Sequence, residues 1–175
     1  MAQAESTSPP NVEIGWQQCV LIAAPSADDA MTLRRVLETA GMATTVCEEP
    51  DDLCRHMEDA AAAIIAEEFL TPHARRLLTE TLARQPDWSD FPLIVMAAVG
   101  ETAEHGRESL NGVIGSGHAV LLQRPVRTFT LMSAVRAALQ SRSRQYQMRD
   151  ELIHRRRAES ALRESESRYR QLVSL

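Results

Sequence analysis

The 175-residue chain has 44% hydrophobic and 25% charged residues and a formal net charge of −5, values that allow one hydrophobic core with an appendage and give no sign of membrane insertion or global nucleic-acid binding. All nineteen Lys-or-Arg positions are arginine, so any mechanism that needs an ε-amino group as phosphate clamp or Schiff-base donor is excluded, a Walker P-loop among them. The charge is uneven: up to Gln140 nineteen acids face ten arginines, whereas the last thirty-five residues carry nine arginines and five acids.

Residues 1–16 are polar and Ser/Pro-bearing, lack a basic-then-apolar signal pattern, and read as a disordered lead-in. Cys19–Ala24 is an apolar run typical of a buried strand. The helix after it places Leu33, Val36, Leu37 and Ala40 at i, i+3, i+4 and i+7, with Asp28 and Asp29 at its N-terminus, where acids favour the macrodipole, and Gly41 as its stop. A second strand spans Ala43–Cys47. Pro50, Asp51 and Asp52 then open a short helix that turns Leu53 and Met57 inward.

The third strand is Ala61–Ala66. Thr71 is the N-cap and Pro72 the first residue of a helix whose inward stripe is Ala74, Leu77, Leu78 and Thr81. Arg84–Asp90 is a loop, with Trp88 expected as a lid on the sheet beside Pro86 and Phe91. Leu93–Ala97 is the fourth strand, and a fourth helix between Glu101 and Leu110 is interrupted by Gly106, Asn111 and Gly112. His118–Leu122 is the fifth strand. Arg124-Pro125 breaks the chain before a helix with Leu131, Ala134, Val135 and Ala138 on one face. This βα rhythm predicts an α/β fold, a doubly wound parallel sheet.

No proline or glycine occurs from Arg127 to Val173, so the last helix can run on as a long exposed rod. Leu152, Leu162, Tyr169 and Leu172 are its apolar positions and the candidate surface for self-association. The spacing from Leu152 to Leu162 breaks a strict heptad, and arginines at 155, 156 and 157 fill the gap.

Five βα units, the Arg-Pro dipeptide after the fifth strand and the acids that end the third strand before Phe69-Leu-Thr-Pro72 together resemble the receiver domain of response regulators. The resemblance covers residues 17–140 and implies a flavodoxin-like (βα)5 sheet with a long C-terminal helix. In that family an acidic pair after the first strand holds magnesium, an aspartate ending the third strand takes the phosphoryl group, and a hydroxyl and a Lys-Pro after the fourth and fifth strands balance its charge. Here Ala24 and Pro25 stand for the acidic pair, Ala97 for the hydroxyl residue, and Arg124-Pro125 for Lys-Pro. At the acceptor position stands Glu67 or Glu68: the offset to Pro72 favours Glu68, and the end of the apolar run favours Glu67. The resemblance therefore implies a degenerate phospho-acceptor pocket with no catalytic residue, no metal and no cofactor. Glu68 and Arg124 read either as a carboxylate–guanidinium pair mimicking the phosphorylated state or as an acidic loop end beside a solvated arginine.

Residues 158–173 resemble the helix that enters a PAS sensor domain in bacterial histidine kinases. This implies a helical linker, with a possible coiled coil, over 141–164 and the start of a PAS domain over 165–175. The chain then reads as the front piece of a longer cytoplasmic sensor kinase with protein partners: a second copy, and PAS and kinase domains downstream. No apolar run approaches the roughly 20 residues of a spanning helix. Cys19, Cys47 and Cys54 form no C-x-x-C pair and read as reduced and packed. The five histidines show no metal-ligand spacing, and His154 is followed by Arg-Arg-Arg instead of a phospho-accepting kinase pattern. A competing reading gives the arginine-rich helix to nucleic acid, although Glu151, Glu159, Glu164 and Glu166 dilute its charge. An enzyme on the same scaffold would need a Gly-rich phosphate loop where Ala-Pro-Ser-Ala stands.

Overall fold

The computed structural model describes residues 19–98 and 119–173, with side chains to residue 171. The lead-in, the helix expected within 101–110, His105, His118 and the side chain of Leu172 lie outside the described residues. Five parallel strands, β1 (Cys19–Ala23), β2 (Ala43–Val46), β3 (Ala62–Ala66), β4 (Leu93–Ala97) and β5 (Ala119–Gln123), form one sheet in the order β2-β1-β3-β4-β5. The helices are α1 (Ala27–Thr39), α2 (Pro50–His56), α3 (Pro72–Ala83) and α4 (Thr128–Val173).

β1, β3 and β4 are buried along their whole length, which explains why they are continuous apolar runs: both faces of a parallel sheet are covered. Leu21, Ile65 and Val95 face a core closed by α2 and α3 through Leu53, Met57 and Leu78. Val20, Ile22, Ile64 and Ile94 face the other, closed by α1 and α4 through Leu37, Leu131, Val135 and Ala138.

Local sequence fixes where the helices begin and end. Ser26 caps α1: its Oγ accepts from the Asp29 amide at 3.1 Å and donates to the Asp29 carboxylate at 2.7 Å. The helix closes on Gly41, at φ 79°, with the Gly41 amide donating to the Glu38 carbonyl and the Met42 amide to that of Leu37; this double closure needs a left-handed residue that glycine supplies without strain. Ala40, expected on the inward stripe, is the exposed C-cap of α1, and the stripe starts one turn earlier at buried Ala30. Thr71 accepts from the Ala74 amide at 3.2 Å, with Pro72 as the first residue of α3.

α4 is 46 residues long, about 69 Å at 1.5 Å per residue. Starting after β5, it runs back along the sheet and stays against the body past Gln140. Arg142 and Tyr146 are buried at 3% and 9% exposure. The Arg142 guanidinium lies 4.8 Å from the Tyr146 ring centre, 5.5 Å from Phe91 and 5.6 Å from Trp88. Its Nη1 donates to Ser89 Oγ at 2.7 Å and to Gln145 Oε1 at 2.9 Å. The Gln145 amide pairs with the Asp90 backbone, accepting from its N–H at 3.0 Å and donating to its carbonyl at 2.8 Å. Trp88 therefore packs on α4, its ring centre 5.6 Å from that of Tyr146 with the planes tilted by 46°, and is not the lid on the sheet that its loop context predicts. Residues 142, 146 and 149, on one side of the helix, all meet its ring, with the Arg149 guanidinium 5.1 Å from it. Beyond Asp150 every described residue is exposed. Among the described residues no helix is long and apolar enough to cross a membrane.

Candidate functional site: the C-terminal rim of the sheet

Because the strands are parallel, all their C-terminal ends lie on one rim, and strand order reverses between β1 and β3, the place where ligands of open α/β sheets bind. A groove of about 710 Å³ opens there. Its walls include Ala24 and Pro25 after β1, Glu68 after β3, Ala98 after β4, and Arg124 and Pro125 after β5. The Val126–Leu131 stretch at the start of α4 and residues of α1 complete it.

The two glutamates take different roles. β3 ends at Ala66 and continues into a single 3-10 turn, Glu67–Phe69, which swings the consecutive side chains apart. Glu67 Oε2 accepts from the Ala98 amide at 3.0 Å, tying the end of β3 to that of β4. Glu68 lines the groove, and its Oε1 receives Arg124 Nη2 in an ion pair that reaches across β4. The Arg124 side chain is 32% exposed and that of Glu68 46%, so the pair is half-sheltered. The Arg124 amide donates to the Ala97 carbonyl at 2.8 Å, and Arg124 Nε is buried without an acceptor. Ala97 is buried at the end of β4 and offers no hydroxyl there.

Asp29 also lines the groove, but its carboxylate already accepts from Ser26. Asp28 and Asp29 thus sit in the first turn of α1. Sequence reasoning had no handle on the Glu67–Ala98 bond, since a side chain bound to a backbone amide leaves no pattern of residue types. Leu152, Leu162 and Tyr169 lie far along α4 and are exposed at 44%, 61% and 70%. Arg155 pairs with Glu159 at 3.0 Å and Arg168 with Glu164 at 2.9 Å. Cys47 is buried, and that burial, reinforced by Asp52 and the neighbouring thiols, pushes its pKa up to about 12. Burial also raises the Cys54 thiol, against a hydrogen bond with Thr81.

Among solved structures, the signal receiver domain of a signal transduction histidine kinase from Syntrophus aciditrophicus matches with a TM-score of 0.56 at 20% identity, over 71% of this chain and 91% of that one. A CheY-like response regulator receiver domain protein from Methanospirillum hungatei JF-1 matches at 0.58 and 14%, over 73% and 98%. The chain has the receiver fold. An adenylate cyclase from Rhodopirellula baltica has the same architecture, at 0.60 and 13%, over 78% of this chain and 97% of that one. At such identities the likeness is one of fold. No sequence-family profile and no curated protein matches the chain. On the receiver fold the groove occupies the switch point, and α4 extends the last helix of the domain.

Proposed function

We propose that the chain is a pseudo-receiver: a regulatory module of a two-component sensor histidine kinase that accepts no phosphoryl group and passes its state to protein partners through α4. The observation that carries this reading is the makeup of the groove. Phosphotransfer on a receiver needs a magnesium ion held by carboxylates, and the groove does not fit one. Ala24 and Pro25 present no oxygen-bearing side chain where the acidic pair is required. Of the two glutamates after β3, one is held by the Ala98 amide and the other by Arg124. A guanidinium already seated on Glu68 supplies the positive charge that a phosphorylated receiver gathers at the same rim, so the domain is held in one state.

The readout is α4. From residue 150 to 171 it is exposed on all sides, and a helix polar all round is supported either by i,i+4 ion pairs, such as Arg155–Glu159 and Arg168–Glu164, or by a partner that covers it. The ten residues from Leu152 to Leu162, which read in the sequence as a break, are one heptad plus three. Steps of three and four from Met148 therefore pass through Leu152, Leu162 and Tyr169, all exposed, the spacing of a two-stranded coiled-coil seam with a charged middle. A second copy of the chain is the occupant, and the resemblance of residues 158–173 to a PAS entry helix gives the direction in which the signal leaves.

The test is incubation of the chain with acetyl phosphate and magnesium, and separately with beryllofluoride and magnesium. Intact mass should be unchanged and amide resonances of residues 66–68 and 97–98 should not shift. A covalent phosphoryl adduct on Glu67 or Glu68 would overturn the reading.

A further inference from the structure

At the opposite edge of the sheet from the rim, α2, α3 and the Arg84–Asp90 loop enclose a second cleft, of about 500 Å³, within the size range of small-molecule sites. Arg142 of α4 forms part of its wall. This arginine is a buried cation, 3% exposed, whose protein acceptors are both neutral: Ser89 Oγ and Gln145 Oε1, each bound by Nη1. No carboxylate among the described residues pairs with it, and its Nε is buried without an acceptor. A buried charge is unfavourable without a counter-charge. The rings of Trp88, Phe91 and Tyr146 offset part of that cost by lying 4.8–5.6 Å from the guanidinium. Nη1 is taken by Ser89 and Gln145 and Nε is closed off, so the donor left for an oxyanion in the cleft is Nη2, which has no acceptor among the described residues.

The geometry points to a ligand: we propose that this cleft binds a small organic monocarboxylate, its carboxylate on Arg142 and its apolar body along Trp88 and Pro86. The walls match such a molecule. Met57, Pro86 and Trp88 are apolar, while Thr81 and Ser89 offer hydroxyls. The other two charges on the wall, Glu58 and Arg84, cancel, and Arg84 already pairs with Glu80 at 3.9 Å; the charge left for a ligand is that of Arg142 alone, which favours a monoanion over a phosphate dianion. The site deepens the proposed function and rests on it in one respect: if α4 is the output, a carboxylate bound here acts at the point where α4 leaves the domain.

The experiment is a titration of the ¹⁵N-labelled full chain, read at the Trp88 indole resonance, with benzoate, methyl benzoate and inorganic phosphate as probes. Benzoate should shift the resonance saturably, methyl benzoate should bind at least tenfold more weakly, and phosphate should leave it unmoved. Arg142→Gln should weaken benzoate at least tenfold. Because that variant also loosens α4, Thr81→Phe, which fills the cleft from α3 and leaves every Arg142 bond in place, should block benzoate equally while circular dichroism stays that of the parent. A linear, unsaturable response to benzoate, equal binding of acid and ester, or undiminished binding by Thr81→Phe would overturn the proposal. None of these results bears on phosphoryl transfer at Glu68, which the adduct measurement tests alone.

Discussion

Removing the charge from either end of the Glu68–Arg124 pair probes whether it is a structural lock or an incidental surface contact. With side-chain exposures of 46% and 32% the pair is too open to be treated as a buried salt bridge. Exposed pairs are worth 0.2–1 kcal/mol, and its single contact between two fixed strand ends puts it near the top of that range, at about 1 kcal/mol. The perturbation is the double-mutant cycle Glu68→Gln, Arg124→Gln and the double variant, in which each change keeps a polar side chain and removes a charge. Urea is the denaturant of choice because it leaves ionic strength free to vary. The coupling should be about 1 kcal/mol at 0.1 M salt, where the screening length is about 10 Å, and should fall below about half of that at 1 M, where it is about 3 Å. A coupling below about 0.3 kcal/mol at low salt, or one that salt does not change, would refute the view that this pair holds the rim.

The remaining expectations concern other parts of the molecule. Gly41→Ala should cost about 1 kcal/mol in a urea midpoint and Gly41→Asn less, because a Cβ there meets nothing within 4 Å and the whole cost is that of the left-handed backbone. Cys47 has its folded pKa raised from 9.0 to about 12; the stability it contributes is present below pH 9, where both states are protonated, and is lost as pH climbs from 9 towards 12 and the unfolded thiol ionises first. The stability gap between the parent and Cys47→Ala, whose cavity cost does not depend on pH, should therefore shrink by about 1 kcal/mol between pH 8 and pH 10; a gap that stays constant would contradict the burial argument. Leu152→Glu combined with Leu162→Glu should convert a dimer to a monomer in light scattering and leave the thermal midpoint of the domain unchanged, since both side chains are exposed in the single chain.

The sheet was legible in the sequence because both of its faces are covered. Runs such as Leu93–Ala97 leave no choice but a buried strand, and Thr71-Pro72 and Gly41 mark helix ends through backbone chemistry that acts within a few residues. Two features escaped for physical reasons. The stripe of α4 that begins at Leu131, Val135 and Ala138 continues through Arg142 and Tyr146 at the same spacing, but an arginine in an apolar stripe reads as its end. Only its stacking against rings from a loop more than fifty residues away makes it a core residue. The division of labour between Glu67 and Glu68 depends on a 3-10 turn at the end of β3, and two adjacent identical residues carry no information about which way each side chain turns.

These two features lie at opposite ends of α4's contact with the domain, and that arrangement constrains how any signal can pass. The groove wall from Pro125 to Leu131 is the start of the helix, immediately after the arginine that Glu68 holds; the cage around Arg142 and the Gln145–Asp90 pairing is its point of departure, about 21 Å further on at 1.5 Å per residue. Between them Leu131, Val135 and Ala138 are packed into the core, so the segment cannot bend without opening it. A change at either end therefore moves the helix as a rigid body, by rotation or sliding over the sheet, and the exposed length beyond Asp150 amplifies a small rotation into a larger displacement at Tyr169. On the proposed reading, a helix clamped at both ends is what carries a change out of the domain whether or not a phosphoryl group is accepted at the rim, and the cage at Arg142 is the second place where a small ligand would set its angle.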